Sequence, residues 1–192
     1  MSVLATYGHP SAWVRNTLRG LVGTILEIGP GSGTNCSYFR SDITWIGLEP
    51  DLSARPALLA ASARFDLEPQ VIGGRAEQIP LPTGAVDAVV GTRVLCSVRK
   101  PEQVLSEIVR VLRPLGTFVF VEHVAAPRGS GLRLAQRLAA PFSRWFDNGC
   151  DPARDTERAL RAATWRHVAV DHYAEPGPFG VRIPHIAGTA VR

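Results

Sequence analysis

Gly29, Gly31 and Gly33 stand at alternate positions directly after an apolar run, residues 25–28, that carries a single carboxylate, Glu27. Glycine has no Cβ to hold a ligand away and tolerates positive φ, so such a loop suits close approach of backbone to a bound molecule. The spacing is G-x-G-x-G. A dinucleotide loop of the G-x-G-x-x-G type would want its third glycine where this chain has Thr34. The next apolar run ends in a second carboxylate, Glu49. An acidic side chain there can accept hydrogen bonds from both hydroxyls of a ribose. Its alternative role is to precede a helix starting near Asp51, where negative charge is favoured by the macrodipole. Further on, His123 closes another apolar run and is the candidate general base, with a packed histidine as the rival reading. Cys96, inside the run 94–98, is a candidate nucleophile or a small packing residue. Asp147 and Cys150 fall on a segment able to shape an acceptor pocket.

These residues converge only if the chain delivers them to one edge. Residues 25–28, 43–48, 69–73, 86–90 and 117–121 are short apolar or β-branched runs bounded by turn residues, and are expected as strands. Helices are expected at 15–22, at 34–39 for a turn or two, at 51–64 with Asp51 as N-cap, and at 101–112. In the last, Val104, Leu105, Ile108, Val111 and Leu112 repeat at core-facing spacing, and Pro101 suits a first turn. Strands alternating with helices imply a mostly parallel sheet covered on both faces, with ligands at the carboxyl ends where strand order reverses. Beyond this, residues 132–146 form an arginine-rich amphipathic segment interrupted by Pro141. A helix is expected at 152–163 and strands at 167–172 and 182–191. The chain is expected as one domain, 1–192, with a short N-terminal helix or lid at 1–23 and an inserted helical lid at 128–150.

Glu27 and the three glycines together give E-x-G-x-G-x-G, which resembles motif I of the class I S-adenosylmethionine-dependent methyltransferases. Gly74-Arg75-Ala76-Glu77-Gln78-Ile79-Pro80 is similar to the family's G-x-A-E-x-L-P segment, Asp87 opens a D-x-V-V strand, and Thr92-Arg93 ends it. The four segments keep the family's order over residues 25–123. The resemblance implies S-adenosyl-L-methionine as cofactor and S-adenosyl-L-homocysteine as product. It places Glu27, Gly29, Pro30, Gly31, Gly33, Glu49, Pro50, Ala76, Glu77, Thr92 and Arg93 at the cofactor. Ala76 N–H and the Glu77 side chain would read the adenine edge, and the residues after β-strand four would lie under the methionine part. It also implies an α/β, Rossmann-like fold: a seven-stranded, mostly parallel sheet with helices on both faces and the last strand antiparallel beside the sixth. Leu115 departs from the family's usual Arg-Pro-Gly-Gly, in a turn far from the cofactor.

Residues 94–98, 121–126, 145–150 and 184–186 resemble a narrower group, the methyltransferase-like alkyl thiol S-methyltransferases, and imply a small thiol acceptor. Members of that group carry an N-terminal membrane anchor; the residues before the first strand are not expected to form one, and membrane residence is not carried over. A thiol already furnishes some thiolate at neutral pH, so a strong base is not obligatory, whereas a hydroxyl acceptor needs one. The alternatives are N-, O- or C-methylation of a quinone, lipid or natural product, a non-catalytic adenosylmethionine-binding regulator, and an NAD-dependent oxidoreductase.

Composition narrows the partners. The 192 residues carry a net charge of +4, but twenty of the 21 basic residues are scattered arginines, with Lys100 the only lysine. No basic cluster interleaved with aromatics supports a nucleic-acid partner. Cys36, Cys96 and Cys150 are odd in number and widely spaced without C-x-x-C, so neither a disulfide framework nor a metal site is expected. No secretory signal and no 18-residue apolar stretch stands out, and the expectation is a cytoplasmic protein acting on a small-molecule methyl acceptor. Leu132, Ala135, Leu138, Ala139, Phe142, Trp145 and Phe146, flanked by Arg133, Arg137 and Arg144, suggest a packed stripe, an acceptor pocket or a peripheral membrane contact. Oligomeric state is not legible.

Overall fold

A computed structural model describes residues 9–146, 149–177 and 180–192. The elements are α1 (Pro10–Arg19), β1 (Thr24–Ile28), β2 (Thr44–Leu48), α2 (Arg55–Arg64), β3 (Gln70–Ile72), β4 (Val86–Thr92) and α3 (Pro101–Val111). They are followed by β5 (Leu112–His123), α4 (Gly131–Phe146), α5 (Thr156–Ala162), β6 (His167–Pro176) and β7 (Arg182–Val191). The seven strands lie in the order β3-β2-β1-β4-β5-β7-β6. Strands β1 to β5 pair in parallel, and only β7 runs antiparallel, inserted between β5 and β6. Strand order reverses between β1 and β4, so the carboxyl ends of β1, β2, β4 and β5 frame one crevice, as the expected fold requires.

Alternation along the strands splits the core into two layers. Leu26 and Ile28 of β1 join Val89 of β4 and Val104, Leu105, Ile108 and Val111 of α3 on one face. Ile25 joins Trp13 and Leu18 of α1, Trp45 and Leu58 on the other. Each aliphatic side chain so buried is worth roughly 1.5–3 kcal/mol. That exceeds the few tenths separating most residues in helix propensity, so packing rather than propensity fixes α3.

Several boundaries differ from expectation for local reasons. Helix α1 starts at Pro10, before residue 15, because proline suits the first turn and the His9 imidazole accepts the Ser11 N–H at 3.3 Å. After the glycines no α-helix forms, only a 3₁₀ turn over Cys36–Tyr38, since the Asn35 side chain is drawn to Glu27. Asp51 does not cap α2. Its carboxylate takes the Ser53 N–H at 2.8 Å and the Ser53 hydroxyl, a local turn that postpones the helix to Arg55. On α4 only part of the expected apolar stripe is described, and it is divided: Leu132 is half-buried. Ala135, Leu138 and Ala139 are exposed, while Gln136 and Ala140 are buried. Gln136 spans two main-chain groups, accepting the Ala126 N–H at 2.7 Å and donating to Val124 O at 3.2 Å.

Strand β5 opens directly after α3, and its pairing with β4 shifts register between Val86 and Ala88. Within that turn Leu115 sits at φ +66° with its side chain 64% exposed. A non-glycine residue in this region costs about 1–2 kcal/mol, partly offset by the chain entropy that glycine would bring back. Leu115→Gly is therefore expected to stabilise the chain by about 0.5–1 kcal/mol. Denaturant unfolding of both proteins checks this, and a loss of stability would refute it.

Candidate functional site

The three glycines serve different ends. Gly29 (φ +58°) lies so close to Val94 that a Cβ would meet its Cγ2 at 2.8 Å, and at Gly33 (φ +84°) a Cβ would meet Ala61 Cβ at 2.8 Å. Gly31 (φ +57°) is the contrary case: beyond its chain neighbours, a Cβ there would meet nothing within 4 Å among the described residues. Its open side gives onto a cleft of about 490 Å³, bordered by Leu48, Glu49, Pro50, Ala76, Glu77 and Arg93. A second cleft of about 460 Å³ carries Pro30, Asn35, Tyr38, Thr92, Tyr173 and His185. Both share Gly29, Gly31 and Arg93, so they meet at the loop.

Glu49 is fixed where β2 ends. It is 5% exposed, its Oε2 accepts the Gly31 N–H at 2.8 Å, and its Oε1 accepts the Asp51 N–H at 2.9 Å. Two acceptor sites thus remain on a carboxylate already oriented by backbone. The Arg55 guanidinium holds the Glu49 carbonyl at 2.8 and 3.0 Å from two nitrogens. Arg93, at φ +59°, leaves β4 and turns the chain between the clefts, with its N–H bonded to Val121 O at 2.7 Å.

Glu27 lies a layer deeper, buried, accepting from Asn35 Nδ2 at 2.8 Å and Trp45 Nε1 at 3.1 Å. Asn35 also donates to Thr92 Oγ1 at 3.0 Å, so this carboxylate ties β1, the loop, β2 and β4 together. Gly33 likewise supports from below, bordering neither cleft. Glu77 borders the first cleft, but its Oε1 is engaged by the Arg99 N–H at 2.9 Å.

Burial pushes the Glu27 carboxyl up to about 7, against the two hydrogen bonds that favour its charge. In the folded chain it holds a proton between its ordinary 4.5 and about 7, where the unfolded chain has lost it. Stability therefore falls as pH rises through that window, by about 3 kcal/mol in all. Against Glu27→Gln, which cannot titrate, the wild-type chain should lose that much relative stability between pH 4.5 and pH 7. Unfolding curves that keep a constant gap over this range would contradict the assignment.

The candidate catalytic residues fall at the ends of β4 and β5. Cys96 Sγ stands 3.6 Å from Cys150 Sγ, and His123 Nδ1 stands 3.4 Å from Cys150 Sγ. Both thiols are buried and His123 is half-buried. The wide sequence spacing that spoke against a metal site does not keep these three apart, because parallel strands bring their ends together. The neighbouring Cys150 thiol and burial push the Cys96 thiol up, and hydrogen bonding to Cys96 raises His123. Asp147 lies outside the described residues.

Three residues carry more than their sequence signal suggested. Glu122 is buried and accepts the N–H groups of Val94 and Leu95 at 2.9 Å and of Cys96 at 3.2 Å. Arg154 donates to Leu95 O at 2.9 Å and to Val98 O, clamping the same turn from outside. His185, 3% exposed, bonds Ile183 O through Nδ1 at 2.9 Å and stacks on Tyr173, while its Nε2 makes no hydrogen bond among the described residues and stands 3.6 Å from Glu175 Oε2. Burial holds its pKa below the usual histidine value. The polar contacts of Glu122 and Arg154 are long-range and leave no local pattern, and His185 gains its place by stacking on a residue of another strand.

Comparison with known proteins agrees with this geometry. A methyltransferase domain family matches residues 26–120. The human thiol S-methyltransferase TMT1A is 31% identical over 172 residues, 88% of this chain and 70% of that protein. Human thiol S-methyltransferase TMT1B is 32% identical over 183 residues, 91% of this chain and 75% of that one. Among solved structures, a SAM-dependent methyltransferase from Methanosarcina mazei superposes with a TM-score of 0.71 at 16% identity, over 96% of this chain and 97% of that one. The [4+2]-cyclase SpnF does so with a TM-score of 0.71 at 17% identity, over 95% and 81%. At such identities these structures share the fold alone. Sequence similarity over most of the chain, joined to a glycine loop, an oriented carboxylate and a crevice at the strand switch point, makes this chain a member of the class I S-adenosylmethionine-dependent methyltransferases.

Proposed function

We propose that the chain methylates a small thiol, with the cofactor in the first cleft and the acceptor entering through the second. The observation that carries this reading is the meeting of the two clefts at Gly31 and Arg93, beside a carboxylate already oriented by two backbone donors. The cleft residues fit a nucleoside: Gly31 leaves the space a side chain would fill, and Glu49 retains acceptor capacity for ribose hydroxyls. When bound, S-adenosylmethionine supplies a methyl group on a positively charged sulfur, which an in-line nucleophile displaces to leave S-adenosylhomocysteine.

The chain's own part is binding, alignment and exclusion of water. Gly29 and Gly31 let the backbone come close, Glu49 takes the ribose, and Ala76 with Pro50 flanks the adenine. Arg93, common to both clefts, closes the methionine end where they meet, and Thr92 borders the second cleft beside it. On the acceptor side, the Nδ1–H bond to Ile183 O leaves His185 Nε2 as a lone-pair acceptor beside the second cleft, and the Glu175 carboxylate 3.6 Å from it is a second acceptor there for a hydrogen bond from S–H. Positioning of this kind is worth up to ~7–11 kcal/mol of barrier in favourable cases. Sulfur is favoured because the relatives quoted above are named for thiol methylation and because a thiol needs no strong base.

Incubation with S-adenosylmethionine and a panel of alkyl and aryl thiols, amines and phenols tests the reading by mass spectrometry. The expected products are thioethers with S-adenosylhomocysteine. Turnover confined to amines or hydroxyls would reject the sulfur assignment. A shorter match to a phosphatidylethanolamine N-methyltransferase from Cereibacter sphaeroides, 28% identical over 61% of this chain and 59% of that one, is the reason for the amine arm.

A further inference from the structure

We propose that Cys96, His123 and Cys150 form a binding site for a soft divalent cation, zinc above all. Their ligand atoms all lie within 4.8 Å of one another. Zinc–sulfur bonds of about 2.3 Å and zinc–nitrogen bonds of about 2.0 Å in a tetrahedron imply S···S and S···N edges of roughly 3.8 and 3.5 Å. The observed separations are 3.6 Å between the two sulfurs and 3.4 Å between His123 Nδ1 and Cys150 Sγ. Two thiols and an imidazole are the donor set that selects zinc over magnesium or calcium.

The three ligands come from distant parts of the sequence, yet the backbone holds them together without an ion. Cys96 N–H bonds Glu122 Oε2 at 3.2 Å, one residue from His123. Asp151 N–H bonds Cys96 O at 2.9 Å, and Ala125 N–H bonds Arg154 O at 3.0 Å. Gly149, at φ +87°, lets the chain pass beneath Ser97, where a Cβ would meet the carbonyl oxygen at 3.1 Å. The segment carrying Cys150 is thereby laid against the ends of β4 and β5.

An ion here would tie that segment to both strands and leave a fourth tetrahedral position for water or a small ligand. Binding would release the thiol protons of Cys96 and Cys150 to solvent. A disulfide is the competing fate of the two thiols, but it requires the sulfurs to close to about 2.05 Å and gives His123 no part. The metal site does not depend on the acceptor being a thiol.

The test uses the whole chain, purified under reducing conditions, stripped with chelator and titrated with Zn²⁺ or Co²⁺ alone. About one equivalent of Co²⁺ should give tetrahedral ligand-field bands with thiolate charge-transfer absorption, displaced by zinc. Zinc should raise the melting temperature and slow alkylation of Cys96 and Cys150, read by peptide mass spectrometry, while leaving Cys36 on the opposite face unaffected. Cys96→Ser, Cys150→Ser and His123→Asn should each weaken zinc binding by at least tenfold. The wild-type spectrum and alkylation pattern decide the matter if a variant fails to fold. No cobalt–thiolate spectrum, a spectrum retained in both cysteine variants, or isolation of the reduced-buffer chain with Cys96 and Cys150 already disulfide-bonded would overturn the site.

Discussion

Gly31→Val should abolish cofactor binding while leaving a folded chain. Gly31 adopts φ +57°, where a side chain costs about 1–2 kcal/mol and a β-branched one at least as much. That strain alone lowers stability without unfolding a domain of ordinary stability. Apart from its chain neighbours, no atom of the described residues lies within 4 Å of where the Cβ would go, so the valine methyls would enter the first cleft instead of the core. They would also crowd the N–H that holds Glu49 at 2.8 Å. Calorimetry with S-adenosylhomocysteine should show at least a 100-fold loss of affinity. Gly33→Ala supplies the contrast, because its Cβ would strike Ala61 at 2.8 Å, inside the packing beneath the loop. It should cost stability first. Undiminished affinity in Gly31→Val would remove the first cleft as the cofactor site.

That contrast also marks what the sequence could reveal. The glycine loop, Glu49 and the Ala76 segment were legible because their signals are local: a strand ending, a positive φ, a carboxylate one strand along. The strand runs were legible for the same reason, and the order of the sheet followed from resemblance. Asn35 shows where locality fails. It falls in the turn or two of helix expected at 34–39, but its side chain reaches Glu27 and Thr92 instead. Asp51 likewise spends its carboxylate on Ser53 and postpones α2. The gathering of Cys96, His123 and Cys150 depends on the β4–β5 register, Thr92 opposite Val121, and on a segment returning from beyond α4. No spacing rule within the sequence encodes that. His185 Nε2 acquires meaning only because β7 inserts beside β5 and sets His185 opposite His123.

Glu122 is the position where the largest loss of stability is expected. Beyond Arg93 the chain abandons the β4 ladder for a tight turn, in which Ser97 and Val98 N–H groups bond Val94 O at 2.9 and 3.1 Å. A turn of this kind leaves its first N–H groups without internal acceptors, as at the start of a helix. The Glu122 carboxylate, contributed by the neighbouring strand, accepts three of them: Val94, Leu95 and Cys96. Burial drives its pKa well above the usual carboxylate value, and these donors oppose that rise. Glu122→Ala would leave all three N–H groups buried and unpaired, at about 1–3 kcal/mol each. The sum approaches the whole stability of an ordinary domain, about 5–15 kcal/mol, so little folded protein should be recovered. Glu122→Gln keeps one carbonyl oxygen for Val94 and Leu95 but turns an amide N–H₂ toward the Cys96 N–H. Its stability, read by denaturant unfolding, should fall between the two. Because Val94, Ser97 and Val98 border the first cleft, cofactor affinity should fall with it. An alanine variant as stable as the wild type would show that the turn holds itself, and that this carboxylate is not what shapes the crevice.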